Sequence, residues 1–233
     1  MKYNYNGISQ FSSIRNTTSS STLDRLGFKS TGTNLNLRYQ NNTLLMDSLF
    51  AVKYNLSETS VNKFGFNYVD GSGNVSLYEN QHASQLAILT NGIYKDIDFS
   101  VNTLDNQTNF INNLTELSEK YFTRLASQLT GGANLLNNRV TTTNDGQLTT
   151  SATYQVTVTA NTQLYVSIPN ITFSNDNSES VQITVNGKTT EYTTDNAYSF
   201  FDLGYFEEGQ TFDITFTFPE NSQVSFNQPN FYA

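Results

Sequence analysis

The sequence predicts an α+β N-terminal part followed by an all-β antiparallel sandwich, jelly-roll-like in type. Three observations carry this reading. Apolar and polar residues alternate in short runs through the second half, helical spacing is confined to the first half, and charge is split unevenly between them. Of 233 residues, 36% are hydrophobic and 14% charged, with a net charge of −8. Residues 1–138 hold ten Lys/Arg against ten Asp/Glu, whereas in 139–233 Arg139 and Lys188 face ten acids. The whole excess therefore lies in the second part. Thr130-Gly131-Gly132-Ala133-Asn134, just before the shift, reads as a turn or linker. The expected division is an α+β region over 1–138 and an acidic β-sandwich domain over 139–233.

In the first part, Thr22–Leu26 ahead of Gly27 predicts a short helix with Ser21 as cap and the glycine as stop. Leu44, Leu45, Leu49 and Val52 fall near helical spacing, while Ala51–Leu56 equally suits the start of a strand. Phe64–Val69 and Val75–Tyr78 flank Asp70–Asn74 and predict a hairpin with a longer loop. Phe110, Leu114, Leu117, Tyr121 and Leu125 recur at three and four residues, predicting an amphipathic helix from about residue 105 to 128.

In the second part, Tyr154–Thr159, Leu164–Ile168, Val181–Val185, Phe212–Phe218 and Val224–Phe226 alternate as half-buried strands do. Asn186-Gly187 after the third is a strong hairpin signal, because both residues tolerate positive φ. Short alternating strands at regular spacing imply two packed antiparallel sheets.

Chemistry is sparse. Zero cysteine excludes disulfide scaffolds, thiol nucleophiles and cysteine-ligated zinc. The acidic balance argues against nucleic acid, whose phosphates demand a basic face. No apolar run approaches the roughly 20 residues that span a bilayer, and no signal peptide opens the chain. His82 is the single histidine; no acid neighbours it in sequence and no G-x-S-x-G elbow occurs. Asp70, Ser72 and Asn74 alternate like calcium-loop ligands, yet Gln81 stands where the bidentate acid belongs. Asn186-Gly187-Lys188-Thr189 echoes a phosphate loop without its first glycine. Asp96 and Asp98 have the spacing of an acid pair, the one feature a soluble hydrolase would use. Tyr192, Tyr198, Phe200, Phe201, Tyr205 and Phe206 are rings able either to stack on sugars or to fill a core. The expectation is no catalytic residue, no metal ligand and no cofactor.

A set of motifs is more specific. Asn6-Gly7-Ile8-Ser9-Gln10-Phe11-Ser12-Ser13 is followed by Leu26-Gly27, then Asp47-Ser48-Leu49-Phe50-Ala51-Val52-Lys53-Tyr54, then Leu77-Tyr78-Glu79-Asn80. In that order they resemble the extracytoplasmic part of the YfhO-type bacterial membrane proteins, closely before residue 80 and loosely after. The Val185-Asn186-Gly187-Lys188 hairpin in a terminal sandwich is similar as well. The sequence departs from the family after Asn80, where Gln81-His82-Ala83-Ser84-Gln85 replaces an apolar stretch.

The resemblance implies a polytopic Gram-positive parent with a GT-C-like glycosyltransferase membrane region, this segment lying at the outer face of the cytoplasmic membrane. It implies a part in glycosylating cell-wall polymers such as lipoteichoic acid, with a lipid-linked sugar as donor and the catalytic acid on an outer loop of the membrane region. The expected partners are that transmembrane region and a cell-wall glycopolymer or lipid-linked sugar. An acidic sandwich repels an anionic polymer, so the neutral first part is the expected place for glycan or headgroup. The candidate residues there are Ser9, Gln10, Ser12, Ser13, Arg15, Arg38 and Lys53, with Arg25 and Lys29 as further cations. The structural alternative is that the first motif is a turn packing Ile8 and Phe11 into the core. The alternative function is a free-standing carbohydrate-binding or adhesive surface module.

Overall fold

Alternation in the second half becomes paired strands in the computed structural model, which describes residues 8, 10–11, 17–31, 36–39, 42–90, 97–136, 139–141, 143–144, 147–148, 151–168, 170–173, 180–193, 200–218 and 224–233. Along Ser151–Thr157, Ala152, Tyr154 and Val156 point inward and are buried, while Gln155 and Thr157 face solvent. This strand lies between Thr211–Thr217 and Ser127–Gly131. Ser180–Val185 and then Lys188–Thr193 continue the sheet beyond Thr211–Thr217. The predicted hairpin closes them, with Asn186 at φ 50 and Gly187 at φ 76.

A second sheet runs Phe200–Phe206, Thr162–Ser167, Asn230–Tyr232, Arg124–Leu125, every pair antiparallel. The two inner faces make one core, with Tyr154, Ile214 and Phe216 from the first sheet and Val166, Phe201 and Phe231 from the second. Each such side chain contributes about 1.5–3 kcal/mol through burial. The ladders reach across the charge shift at residue 139, since Arg124–Leu125 and Ser127–Gly131 already pair into the two sheets.

Upstream, Tyr54–Ser57, Val75–Asn80 and Phe66–Ser72 form an antiparallel sheet. The predicted long loop is instead a tight turn at Gly73 and Asn74, because Ser72 pairs with Val75. A bulge at Val69, between Tyr68 and Asp70, absorbs the extra residue and lets the ladder run on. The described helices are α1 (Thr17–Arg25), α2 (Leu44–Leu49) and α3 (Thr103–Thr115). Ser21 lies inside α1 rather than capping it. Thr43 caps α2, its Oγ1 accepting from Met46 N at 3.2 Å. Asn102 caps α3, its Oδ1 accepting from Leu104 N at 3.0 Å.

The helix expected to run to about 128 stops at Thr115. Glu116 turns left-handed at φ 55, and Asn112 binds the backbone of Glu119 through both side-chain atoms, at 2.9 and 3.1 Å. Leu117 is exposed and Leu125 is buried as a strand residue opposite Phe231. The periodic spacing therefore spanned two different elements.

The two ends of α3 pack into different clusters. Leu104 of α3 joins Phe122, Tyr165, Phe200 and Tyr232, while Ile111 joins Leu26 and Met46.

Candidate functional site

The first part is fastened to the sandwich by a buried polar cluster. Lys63 is 8% exposed. Its ammonium donates to Asn42 O at 2.5 Å, pairs with the Asp47 carboxylate and lies 3.7 Å from Asp202 Oδ2. Asp47 also accepts from Tyr39 OH at 2.6 Å. Asp202 Oδ1 accepts from Gln163 Nε2 at 2.5 Å and from Gly204 N at 2.9 Å. Burial pushes both carboxyls above the usual range, with Lys63 pulling the other way. Beneath them, Gln107 Nε2 donates to Leu26 O and to Asn42 Oδ1, each at 3.0 Å. Buried this deeply, the cluster acts as a clamp between the two parts.

Directly beside the clamp runs a groove of about 610 Å³. Leu44, Leu45 and Ser48 of α2 form one wall, and Tyr121, Phe122 and Ala233 another. Asn161, Thr162, Gln163 and Tyr165 of the sandwich line it with amides and hydroxyls. Its mouth carries three rings. Phe64 stacks on His82 (centroids 5.5 Å apart, planes 9° apart) and on Tyr205 (5.5 Å, 27°).

The backbone is built to hold that row. Gly65 sits at φ +75, and a Cβ there would come within 2.4 Å of His82 Cδ2. The Gln163 amide joins groove to clamp, because its Oε1 accepts from Phe64 N at 3.0 Å while its Nε2 holds Asp202. Tyr165 OH accepts from Leu44 N at 3.0 Å and fixes the start of α2. None of the described lining residues is Asp, Glu, Lys or Arg. Flat ring faces with neighbouring amides and hydroxyls suit a pyranose, whose C–H faces stack while its hydroxyls find hydrogen-bond partners.

The predicted binding residues lie elsewhere or beyond description. Ser9, Ser12, Ser13 and Arg15 fall outside the described residues. Gln10 is in the short strand Gln10–Phe11, paired to Leu37. Arg38 is exposed at the end of Asn36–Arg38, opposite Lys29. Lys53 is exposed, 3.6 Å from the Glu79 carboxylate and 5.3 Å from the Tyr54 ring centroid. Arg38 and Lys53 are not among the described residues lining the groove.

Of the candidate acid pair, Asp96 falls outside the described residues and Asp98 is exposed. Among the described residues no cluster of three or more His, Asp or Glu converges on a metal position. The six aromatic candidates separate. Phe200, Phe201 and Phe206 are buried, Tyr192 donates to Asp202 O at 2.7 Å, Tyr198 is outside the described residues, and Tyr205 reaches the groove. Sequence reasoning passed over Phe64, Gln163 and the clamp. The one local signal was Asp202, an acid inside the otherwise apolar run Phe200–Phe206.

These features define a mainly antiparallel β-sandwich module with few helices and an uncharged, ring-lined groove at its seam with the upstream part. The chain belongs to the family described as bacterial membrane protein YfhO, whose model matches residues 1–233. Among the described residues no helix is long and apolar enough to cross a membrane. Comparison with curated proteins gives no match. Among solved structures, the chain is similar to a family two carbohydrate esterase from Cellvibrio japonicus, at 16% identity and TM-score 0.32, covering 48% of this chain and 32% of that one. It is similar to a ruminal GH26 endo-β-1,4-mannanase at 20% identity and TM-score 0.28, covering 45% and 20%. A third likeness is the CBM36-1 domain of a multidomain xylanase from the hindgut metagenome of Trinervitermes trinervoides, at 14% identity and TM-score 0.32, covering 48% and 96%. The chain thus spans under a third of the esterase and a fifth of the mannanase. These partial likenesses carry no functional assignment.

Proposed function

We propose that this chain is an outer-face part of a polytopic membrane protein that holds a sugar for a membrane-embedded glycosyltransferase. The sugar belongs either to a cell-wall acceptor of teichoic type or to a lipid-linked donor. The observation that carries the reading is the Phe64, His82 and Tyr205 row at the mouth of an uncharged groove. Membership of a membrane-protein family supports the location.

The role is positioning: among the described residues lining the groove there are no two carboxyls, and no hydrogen bond couples Ser48 to His82 as nucleophile and base. Charge shapes the choice of ligand. A net charge of −8 opposes a polyanion over a Debye length of about 8 Å at physiological salt, so the neutral sugar rather than the phosphate backbone enters the groove. The test is sugar transfer in membranes bearing the full-length protein, wild type against Phe64→Ala and Tyr205→Ala. Transfer falls about tenfold or more if the groove positions substrate; undiminished transfer at equal protein level rejects the role.

A further inference from the structure

The segment after the groove's rim exposes apolar side chains. Leu86 is 94% exposed, Leu89 102% and Ile88 49%. They stand on an irregular stretch in which every described residue from Gln85 to Leu89 is exposed. From Ala83 to Tyr94 the sequence has no charged side chain. Single exposed leucines are ordinary on a protein surface; a consecutive uncharged run with two of them wholly bared is not.

The base of this segment is anchored. Ser84 N donates to Ser48 O at 3.0 Å, and Ser84 Oγ donates to Leu49 O at 3.3 Å, tying it to the end of α2. His82, two residues earlier, is one of the groove's three rings. A fixed base, an uncharged exposed run and a neighbouring groove lie in one continuous stretch of chain.

We propose that Leu86, Ile88 and Leu89 insert into the interfacial layer of a lipid bilayer and so present the groove mouth to the headgroups. The occupant is a bilayer rather than a protein because the family is a membrane-protein family and because no charge in the run must be desolvated. The run enters without help from anionic lipid, since it carries no cation from Ala83 to Tyr94. Lipid-linked sugar, with its chain in the bilayer and its glycan just above, is the substrate class this orientation favours. This inference rests on the membrane-surface location proposed above, and it stands or falls separately from sugar binding in the groove.

The chain contains no tryptophan, so Leu89→Trp supplies a single indole in this run. On addition of phosphatidylcholine vesicles, with or without phosphatidylglycerol, its emission shifts to the blue and is quenched by lipids brominated near the headgroup end of the acyl chain. Leu86→Ser/Leu89→Ser lowers vesicle flotation about tenfold and leaves oligosaccharide binding unchanged, which separates the two readings. Emission that stays water-like with vesicles in excess overturns the proposal. A blue shift that grows with protein concentration in the absence of vesicles also overturns it, by showing a second copy as the occupant.

Discussion

Lys63 Nζ and Asp202 Oδ2 stand 3.7 Å apart across the seam between the upstream part and the sandwich, with Asp47 as the second carboxylate on the same ammonium. One buried cation thus serves two buried acids on opposite sides of the seam. Removing one partner of such a set costs about 3–5 kcal/mol, because the charges left behind have no solvent. Lys63→Met, close in length and apolar, is expected to lose about that much in urea unfolding. A loss below about 1 kcal/mol would show the clamp to be dispensable.

The same cluster sets a pH dependence. Burial raises the carboxyls of Asp47 and Asp202 above their ordinary values, so the folded chain holds these protons more tightly than the unfolded chain. Their contribution to stability is fully present below the ordinary carboxylate pKa of about 4 and is lost as pH rises through the raised folded values. Asp202→Asn removes one titrating group. Its urea midpoint should fall less steeply than that of the wild type on going from about pH 4 to 7. Equal slopes would contradict the assignment.

The sandwich was legible because alternation reports directly which face is dry. Tyr154, Ile183, Ile214 and Phe216 all sit where period two puts them, and Asn186-Gly187 turns where its positive φ allows. The end of α3 was not legible, since Leu117 and Leu125 keep helical spacing while belonging to a loop and a strand. The clamp was not read from the sequence: Asp202 inside an apolar run was its one signal, and Lys63 and Asp47 look like surface residues until the chain closes on them. The groove was invisible for the same reason: Phe64, Gln163 and Tyr205 come together only through long-range pairing. The spacing of Leu44, Leu45 and Leu49 marked α2 without revealing that α2 forms a groove wall.

Tyr165 tests how α2 is held. Its hydroxyl accepts from Leu44 N at the first turn, where a helix has no internal acceptor. Tyr165→Phe leaves that amide unpaired beside a buried ring and should cost about 1–3 kcal/mol. Faster amide exchange at Leu44, measured by NMR, is the specific signature.

Gly65 tests the ring row. Alanine at φ +75 is strained by about 1–2 kcal/mol, and its Cβ would meet the His82 ring. Gly65→Ala should lose about that stability, swing His82 off Phe64 and weaken oligosaccharide binding. Unaltered ring-current shifts at His82 would mean the row does not depend on this glycine.

The groove itself can be read through one nucleus. His82 is the only histidine in the sequence and stacks on Phe64 at the groove mouth, so its imidazole Cε1–H resonance is unambiguous. Titration of the chain with oligosaccharides released from a teichoic-type polymer should move this resonance saturably, and Tyr205→Ala should abolish the movement while the fold is kept. A His82 signal that stays fixed up to millimolar sugar would contradict the claim that this groove holds a glycan.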